Sequence, residues 1–442
     1  MKKKILLAVL LVVILLGAGI TYAYFATDMF KTEKEMFFSY IGNSIEETEQ
    51  DKKIVEYMEK KEEKAYSNNG EITFNMTGLE DESISVINNS KISFEGKSDN
   101  VRKIAEQKIT LEAQGINIPI IYRNKENIYG IQTNMLDRRF IAIKNENLKQ
   151  LFKRFGVEDV SEIPDKIELE NSKFTKEEIK TLEDRYYKII NENLEDELFT
   201  KENVDNQKIL KLSITEQKAA DILTKLLETI RDDEIILSKF PQGYDTSELK
   251  NEINETIEEI KSNVASSNKF EIKLYTESRK IVKGEVLYYE NDNVTGKILI
   301  ETSDKTVTLK MYSQNEIFGE IIFTKETIEN DANYKICIKS YSESRTSIEI
   351  GMKYKNIMKL QDVEEEYSIK IATEEVADDK ISSYSQNENN AEMTFNYKNQ
   401  IKFEDNITID NLDETNSIII NDATDEEIQN LIMNVYKNLG LI

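Results

Sequence analysis

Ile348-Glu349-Ile350-Gly351-Met352-Lys353-Tyr354-Lys355 places an apolar side chain at every second position. Successive side chains of an extended strand point to opposite faces. The stretch therefore presents Ile348, Ile350, Met352 and Tyr354 on one side, and Glu349, Lys353 and Lys355 on the other. Tyr367, Ile369 and Ile371 alternate with Ser368 and Lys370 in the same way, and Met393, Phe395 and Tyr397 repeat the pattern. Long strands of this kind, joined by short polar turns, predict an antiparallel meander with one buried face.

This strand block runs from about 268 to 412, with turns expected at Asn291-Asp292-Asn293 and at Gly319. A similar block covers about 70 to 145. In it, Ile72, Phe74 and Met76 alternate, and Ser83 to Phe94 and Lys108 to Ala113 repeat the period. Gln114-Gly115 and Asn124-Lys125 read as its turns. Between the blocks, residues from about 146 to 262 carry helical spacings. Leu148, Leu151, Phe152 and Phe155 form one such stripe, with Gly156 placed to end the helix. Thr175 with Glu178 forms a capping box, Thr215 opens a helix with Ile222, Leu223 and Leu226, and Leu249, Ile253 and Ile257 mark another. Phe240-Pro241-Gln242-Gly243 breaks the chain, and Lys208 to Ile214 reads as an isolated strand. Thr424 with Glu427 caps a closing helix over about 424 to 439.

A one-faced sheet must bury its apolar side, and the amphipathic helices are the available cover. The expected fold is α+β: a large curved antiparallel sheet with helices across its concave face, in one domain over 67–442. Residues 27–66 precede it as a juxtamembrane helix. Met29 to Lys64 carries Phe30, Phe37, Ile41, Ile45, Val55 and Met58 at irregular spacings, which reads as a stalk or surface helix.

The chain opens with Lys2-Lys3-Lys4, and Ile5 to Ala26 then carries no charge. About 20 apolar residues cross a bilayer core as a helix. Tyr22, Tyr24 and Phe25 sit where rings favour the interface, and the preceding lysines orient the N-terminus to the cytoplasm. Residues 1–26 are thus expected to anchor the chain in the cell membrane, with the remainder outside. Thr21-Tyr22-Ala23, followed by bulky Tyr24, makes a poor signal-peptide cleavage site. No cysteine lies near the span to carry a lipid.

Composition bounds the chemistry. The formal net charge of −25 disfavours nucleic acid as a partner. There is no His, which removes Ser-His-Asp and Cys-His catalysis and His-based metal sites. There is no Trp, and the single cysteine, Cys337, reads as a strand residue. The acidic runs Glu80-Asp81-Glu82, Asp232-Asp233-Glu234, Glu364-Glu365-Glu366 and Asp425-Glu426-Glu427 read as solvated surface or helix N-terminal charge. Glu290 to Gly296 lacks the spacing of a calcium loop, and no phosphate-binding glycine loop occurs. No catalytic residue, metal ligand or cofactor is assigned. Phe74, Phe94, Tyr129, Met352, Phe395 and Tyr397 are the candidate lining of an apolar cavity.

Phe37-Phe38-Ser39-Tyr40, Asn127-Ile128-Tyr129-Gly130, Phe140 to Leu148, and Ile420 to Glu427 resemble a family of uncharacterised membrane-anchored proteins of clostridia-like Gram-positive bacteria. That resemblance brings no activity and no functional residues. The order of strands and helices is also similar to the lipoprotein-carrier half-barrel (LolA-like) group, which implies a hydrophobic cavity between sheet and helices. The expected function is a non-enzymatic, membrane-anchored binding protein for a lipid or other apolar ligand at the cell envelope. An envelope assembly protein working through protein contacts is the alternative, and a carboxylate-dependent hydrolase a third class.

Overall fold

The computed structural model describes residues 31–44, 48–78, 82–161, 163–167, 174–204, 207–240, 245–262, 264–341, 344–375, 391–438 and 440. The expected membrane span at residues 5–26, the break at 241–243 and part of the acidic run at 80–82 lie outside these. Among the described residues no helix is long and apolar enough to cross a membrane. The fold is α+β, built on long antiparallel strands. The chain divides into two compact units. One draws on Met1–Glu46 and Glu168–Phe323, the other on Glu47–Ile167 and Thr324–Ile442.

In the first unit the sheet order is β7 (Phe199–Val204), β8 (Gln207–Thr215), β9 (Lys269–Glu277), β10 (Lys280–Glu290), β11 (Asn293–Thr302) and β12 (Thr306–Ser313). The register aligns Leu210 with Leu274, Leu212 with Ile272, and Ile214 with Phe270. Val286 continues the row from Ile272 to Ile298. These side chains form one buried face. Three helices bury it: α1 (Glu33–Asn43) through Met36, Phe37, Phe38, Tyr40 and Ile41, α5 (Lys176–Asn193) through Ile190, and α6 (Glu216–Asp232) through Ala219, Ile222 and Leu226.

The second unit has the order β14 (Asp331–Tyr341), β15 (Ser344–Lys355), β16 (Asp362–Glu375), β17 (Ala391–Glu404), β1 (Ala65–Thr77), β2 (Lys91–Asp99), β3 (Ile104–Ala113), β4 (Ile116–Lys125), β5 (Ile128–Thr133), β6 (Asp137–Lys144) and β18 (Ser417–Ile419). All these pairings are antiparallel except that of β6 with β18. A helix α2 (Glu49–Glu63) inserts Tyr57 among Tyr354, Ile357, Val363 and Ile401. At the other end α4 (Leu148–Arg154) and α9 (Asp425–Asn438) meet Ile418 and Ile420 through Leu148, Leu151 and Leu431.

Several sequence expectations are corrected. The stretch from Met29 to Lys64 holds two helices, α1 and α2. Thr32 with Glu35, and Thr48 with Asp51, each form a capping box, so the chain stops and restarts between them. Neither is a stalk, since Phe37 and Tyr57 are both fully buried. Residues Glu82–Asn88 form a helix, α3, ahead of β2, not the start of a strand. The strand at Lys208 to Ile214 is paired with β7 and not isolated. The turn expected at Asn124-Lys125 falls at Glu126-Asn127, both with positive φ. Gly319 lies inside β13 (Glu316–Ile328) and marks no turn. The acidic runs are not all solvated: Asp233 and Glu365 are buried.

Asp51 gives one measurable consequence of these caps. Burial works against its carboxylate. Hydrogen bonds from Lys325, Tyr334 and Thr48 outweigh that and hold its pKa below the ordinary value. A depressed folded pKa gives stability that is present above the unfolded pKa of about 3.9 and is lost as pH falls through the folded value. The variant Asp51→Asn should melt below the parent protein near neutral pH, and the gap should close in acid. Melting curves from neutral to strongly acidic pH check this; a gap unchanged by pH would contradict it.

Candidate binding face

Two-residue periodicity carries one set of apolar side chains across the strands of the second unit. The register sets Ile336 against Ile350, Ile350 against Ile369, and Ile369 against Phe395. Phe395 lies opposite Phe74, Ile72 opposite Ile92, and Phe94 opposite Ile109. Directly opposed residues share a face, so these belong to one surface. None of them is fully buried. Ile338, Ile369 and Met393 retain 39%, 40% and 39% of their surface. The first unit's apolar face is closed by helices, whereas this one is partly open.

The surface changes character towards α2. Phe74 and Phe395 meet edge to face at 5.4 Å. Phe94 stacks on Tyr397 at 5.7 Å, Tyr397 on Tyr367 at 5.5 Å, and Tyr367 meets the edge of Tyr354 at 6.0 Å. Tyr354 in turn contacts Tyr57. The Phe94 ring occupies the space above Gly70, where a Cβ would lie 2.4 Å from its Cζ. A side chain at position 70 would therefore expel the ring from the stack.

A carboxylate closes this ladder. Glu365 is 1% exposed. Its Oε1 accepts hydrogen bonds from the Tyr57 hydroxyl at 2.8 Å and from Lys61 Nζ at 2.9 Å, and its Oε2 accepts one from Asn399 Nδ2 at 3.2 Å. Tyr57 and Lys61 are four residues apart on α2 and so lie on the same side of that helix. Burial, and then the charge of Glu365, pushes the Tyr397 pKa up to about 12. Burial raises those of Tyr57 and Tyr367 further. These phenols stay protonated at physiological pH. They can donate hydrogen bonds but are poorly suited to act as bases.

Five of the six sequence candidates converge here. Phe74, Phe94, Met352, Phe395 and Tyr397 lie on the contiguous part of the face. Tyr129 is on the same face but further along the sheet, paired with Asn124 and Ile143. Sequence reasoning missed Glu365, Asn399, Tyr57 and Lys61. The signal for two of them was phase. Glu365 is in step with Tyr367, Ile369 and Ile371, and Asn399 with Phe395, Tyr397 and Ile401. A polar residue at an inward position calls for a buried partner.

No family model matches the chain. No curated protein matches it. Among solved structures, the intact transferrin-binding protein B "Ap-TbpB", with N and C lobes, is 6% identical over 77% of each chain, with a TM-score of 0.11. A mutant transferrin-binding protein B from Haemophilus parasuis is 7% identical over 76% of each chain, with a TM-score of 0.11. A loop-deletion mutant of OmpT, an outer membrane protein of Vibrio cholerae, is 8% identical over 76% of this chain and 98% of its own, with a TM-score of 0.12. Likeness at this level carries no argument about this protein.

The arrangement is therefore read from its own chemistry. An open sheet face lined by Ile, Phe, Met and Tyr can take apolar surface out of water. The buried Glu365 cluster fixes the edge of that face nearest α2. Its carboxylate is already paired with Tyr57, Lys61 and Asn399, which suits holding the aromatic ladder in place.

Proposed function

We propose that this protein is a non-enzymatic, membrane-anchored binding protein, whose second unit takes up a lipid or similar apolar ligand on its open sheet face. The observation that carries the reading is that face: a contiguous run of large apolar side chains left partly exposed. Contiguous exposed apolar surface of this kind commonly marks a binding site. In this reading residues 5–26 span the membrane, the N-terminus is cytoplasmic, and both units lie outside the cell. The expected curved sheet with helical cover belongs to the same reading, and the helices over the first unit's sheet support it. The alternative is an envelope assembly protein acting through protein contacts by its acidic surface and the 29–64 region, where α2 leaves Val55 and Met58 57% and 40% exposed.

The test uses the full chain in lipid nanodiscs and a fluorescent fatty acid. Saturable binding above that of empty discs is expected. Each large aromatic side chain removed from an apolar contact forfeits roughly 1.5–3 kcal/mol. The double variant Phe74→Ser with Phe395→Ser should therefore weaken binding by about tenfold or more. Equal affinity in the parent and the double variant would remove this face from the account.

A further inference from the structure

The opposite face of the same strands is polar and holds a groove of about 660 Å³. One row of it can be followed strand by strand. Arg123 on β4 lies opposite Glu106 on β3, Glu106 opposite Lys97 on β2, Lys97 opposite Ser67 on β1, Ser67 opposite Lys402 on β17, and Lys402 opposite Asp362 on β16. All six line the groove.

The carboxylates in it are already engaged. Glu106 takes the Arg123 guanidinium, with Nε at 2.7 Å. Glu95 takes Lys108 Nζ at 2.9 Å, and Asp362 takes Gln400 Nε2 at 2.9 Å. The side chains of Lys97, Ser67 and Lys402, in contrast, make no hydrogen bond or ion pair among the described residues. The groove carries four cationic side chains, Lys97, Lys108, Arg123 and Lys402, and three carboxylates. Arg123 also faces Asp410 at 3.9 Å, and Lys108 is taken by Glu95, which leaves Lys97 and Lys402 as the groove's cations outside its ion pairs, in a chain of net charge −25.

Neighbouring strands are about 4.8 Å apart, so Lys97 and Lys402, two strands from each other, have backbones roughly 10 Å apart with Ser67 between them. Lysine stems are long enough for both ammonium groups to lean over that hydroxyl and meet around one small oxyanion. Two ammoniums and a hydroxyl supply several donors to one centre, which suits a tetrahedral phosphate with its several acceptor oxygens. The flanking carboxylates at Glu106 and Asp362 oppose a larger anionic charge. We propose that Lys97, Ser67 and Lys402 form a binding site for a single phosphate group. The site is on the reverse of the sheet from the apolar face and stands independently of it.

The test is calorimetric titration of the full chain, in nanodiscs of zwitterionic lipid, with inorganic phosphate. Saturable binding is expected in the millimolar range or tighter. Lys97→Ala with Lys402→Ala should weaken it by about tenfold or more, and Ser67→Ala by less. Lys188→Ala with Lys335→Ala, at lysines ion-paired elsewhere, should leave it unchanged. A second arm uses glycerophosphoglycerol, a soluble phosphodiester. Tighter binding of the diester identifies the ligand as an envelope phosphodiester, and tighter binding of inorganic phosphate identifies a free anion; either ranking sustains the site. No saturable binding of either probe, or equal losses in the two double variants, would overturn it.

Discussion

Glu365→Ala is expected to destabilise the second unit by about 3–5 kcal/mol. Removing this carboxylate leaves the Tyr57 hydroxyl, the Lys61 ammonium and the Asn399 amide without their shared acceptor. Breaking a buried pair costs more than the pair itself contributes, because the remaining charge stays desolvated. Lys61 retains 22% of its side-chain exposure and can turn towards water, which favours the lower end of the range. Glu365→Gln keeps an acceptor for Tyr57 and should lose less. The effect should also appear in the aromatic ladder, because Tyr57 and Tyr367 are oriented around this residue. Urea titration with near-ultraviolet circular dichroism reads both stability and tyrosine packing. A midpoint unchanged in Glu365→Ala, with an unchanged near-ultraviolet spectrum, would show that the cluster organises nothing.

Phe37→Ala should cost the first unit a similar amount, about 3–5 kcal/mol. Phe37 is fully buried and meets the edges of Phe38 at 5.8 Å and Phe199 at 5.3 Å. Truncation removes apolar contact and leaves a void between α1 and the sheet. Phe37→Leu retains much of the volume and should cost less. The comparison separates two views of α1. A stalk helix would tolerate the change within about 0.5 kcal/mol, as surface positions generally do. Chemical denaturation followed by a signal from the first unit decides it, and a surface-like loss would contradict the core placement of α1.

Much of the fold was legible because strand periodicity and caps are local. The alternation at Ile348–Lys355 and at Met393–Tyr397 follows directly from the pleat, and the boxes Thr175 with Glu178 and Thr424 with Glu427 form as expected. Tight turns were legible only where the residues advertise positive φ. Asn291-Asp292 did so, but Ser278-Arg279 adopts the same left-handed pair without such a signal. There the flanking ladders impose the turn. The helix stripe of α1 reads as irregular in sequence because its burial comes from two sides, strands and α5, so that Met36, Phe37, Phe38, Tyr40 and Ile41 are all buried. The site was half legible. Alternation located Phe74, Phe395 and Tyr397, yet alternation is equally compatible with a closed core. Glu365 was hidden between Glu364 and Glu366, where a run of like charges suggests solvent more readily than phase suggests burial. Tyr57 and Lys61 reach it across a sequence separation of more than three hundred residues, beyond any local pattern.

The absence of Trp from the chain makes one measurement especially direct. Phe395→Trp and Thr394→Trp put a single indole on adjacent residues of β17 that point to opposite faces. With the full chain in nanodiscs and a brominated fatty acid as quencher, the account expects saturable quenching and a blue shift at position 395, with little change at 394. Quenching that is equal at the two positions, or absent at 395, would contradict an apolar ligand on this face.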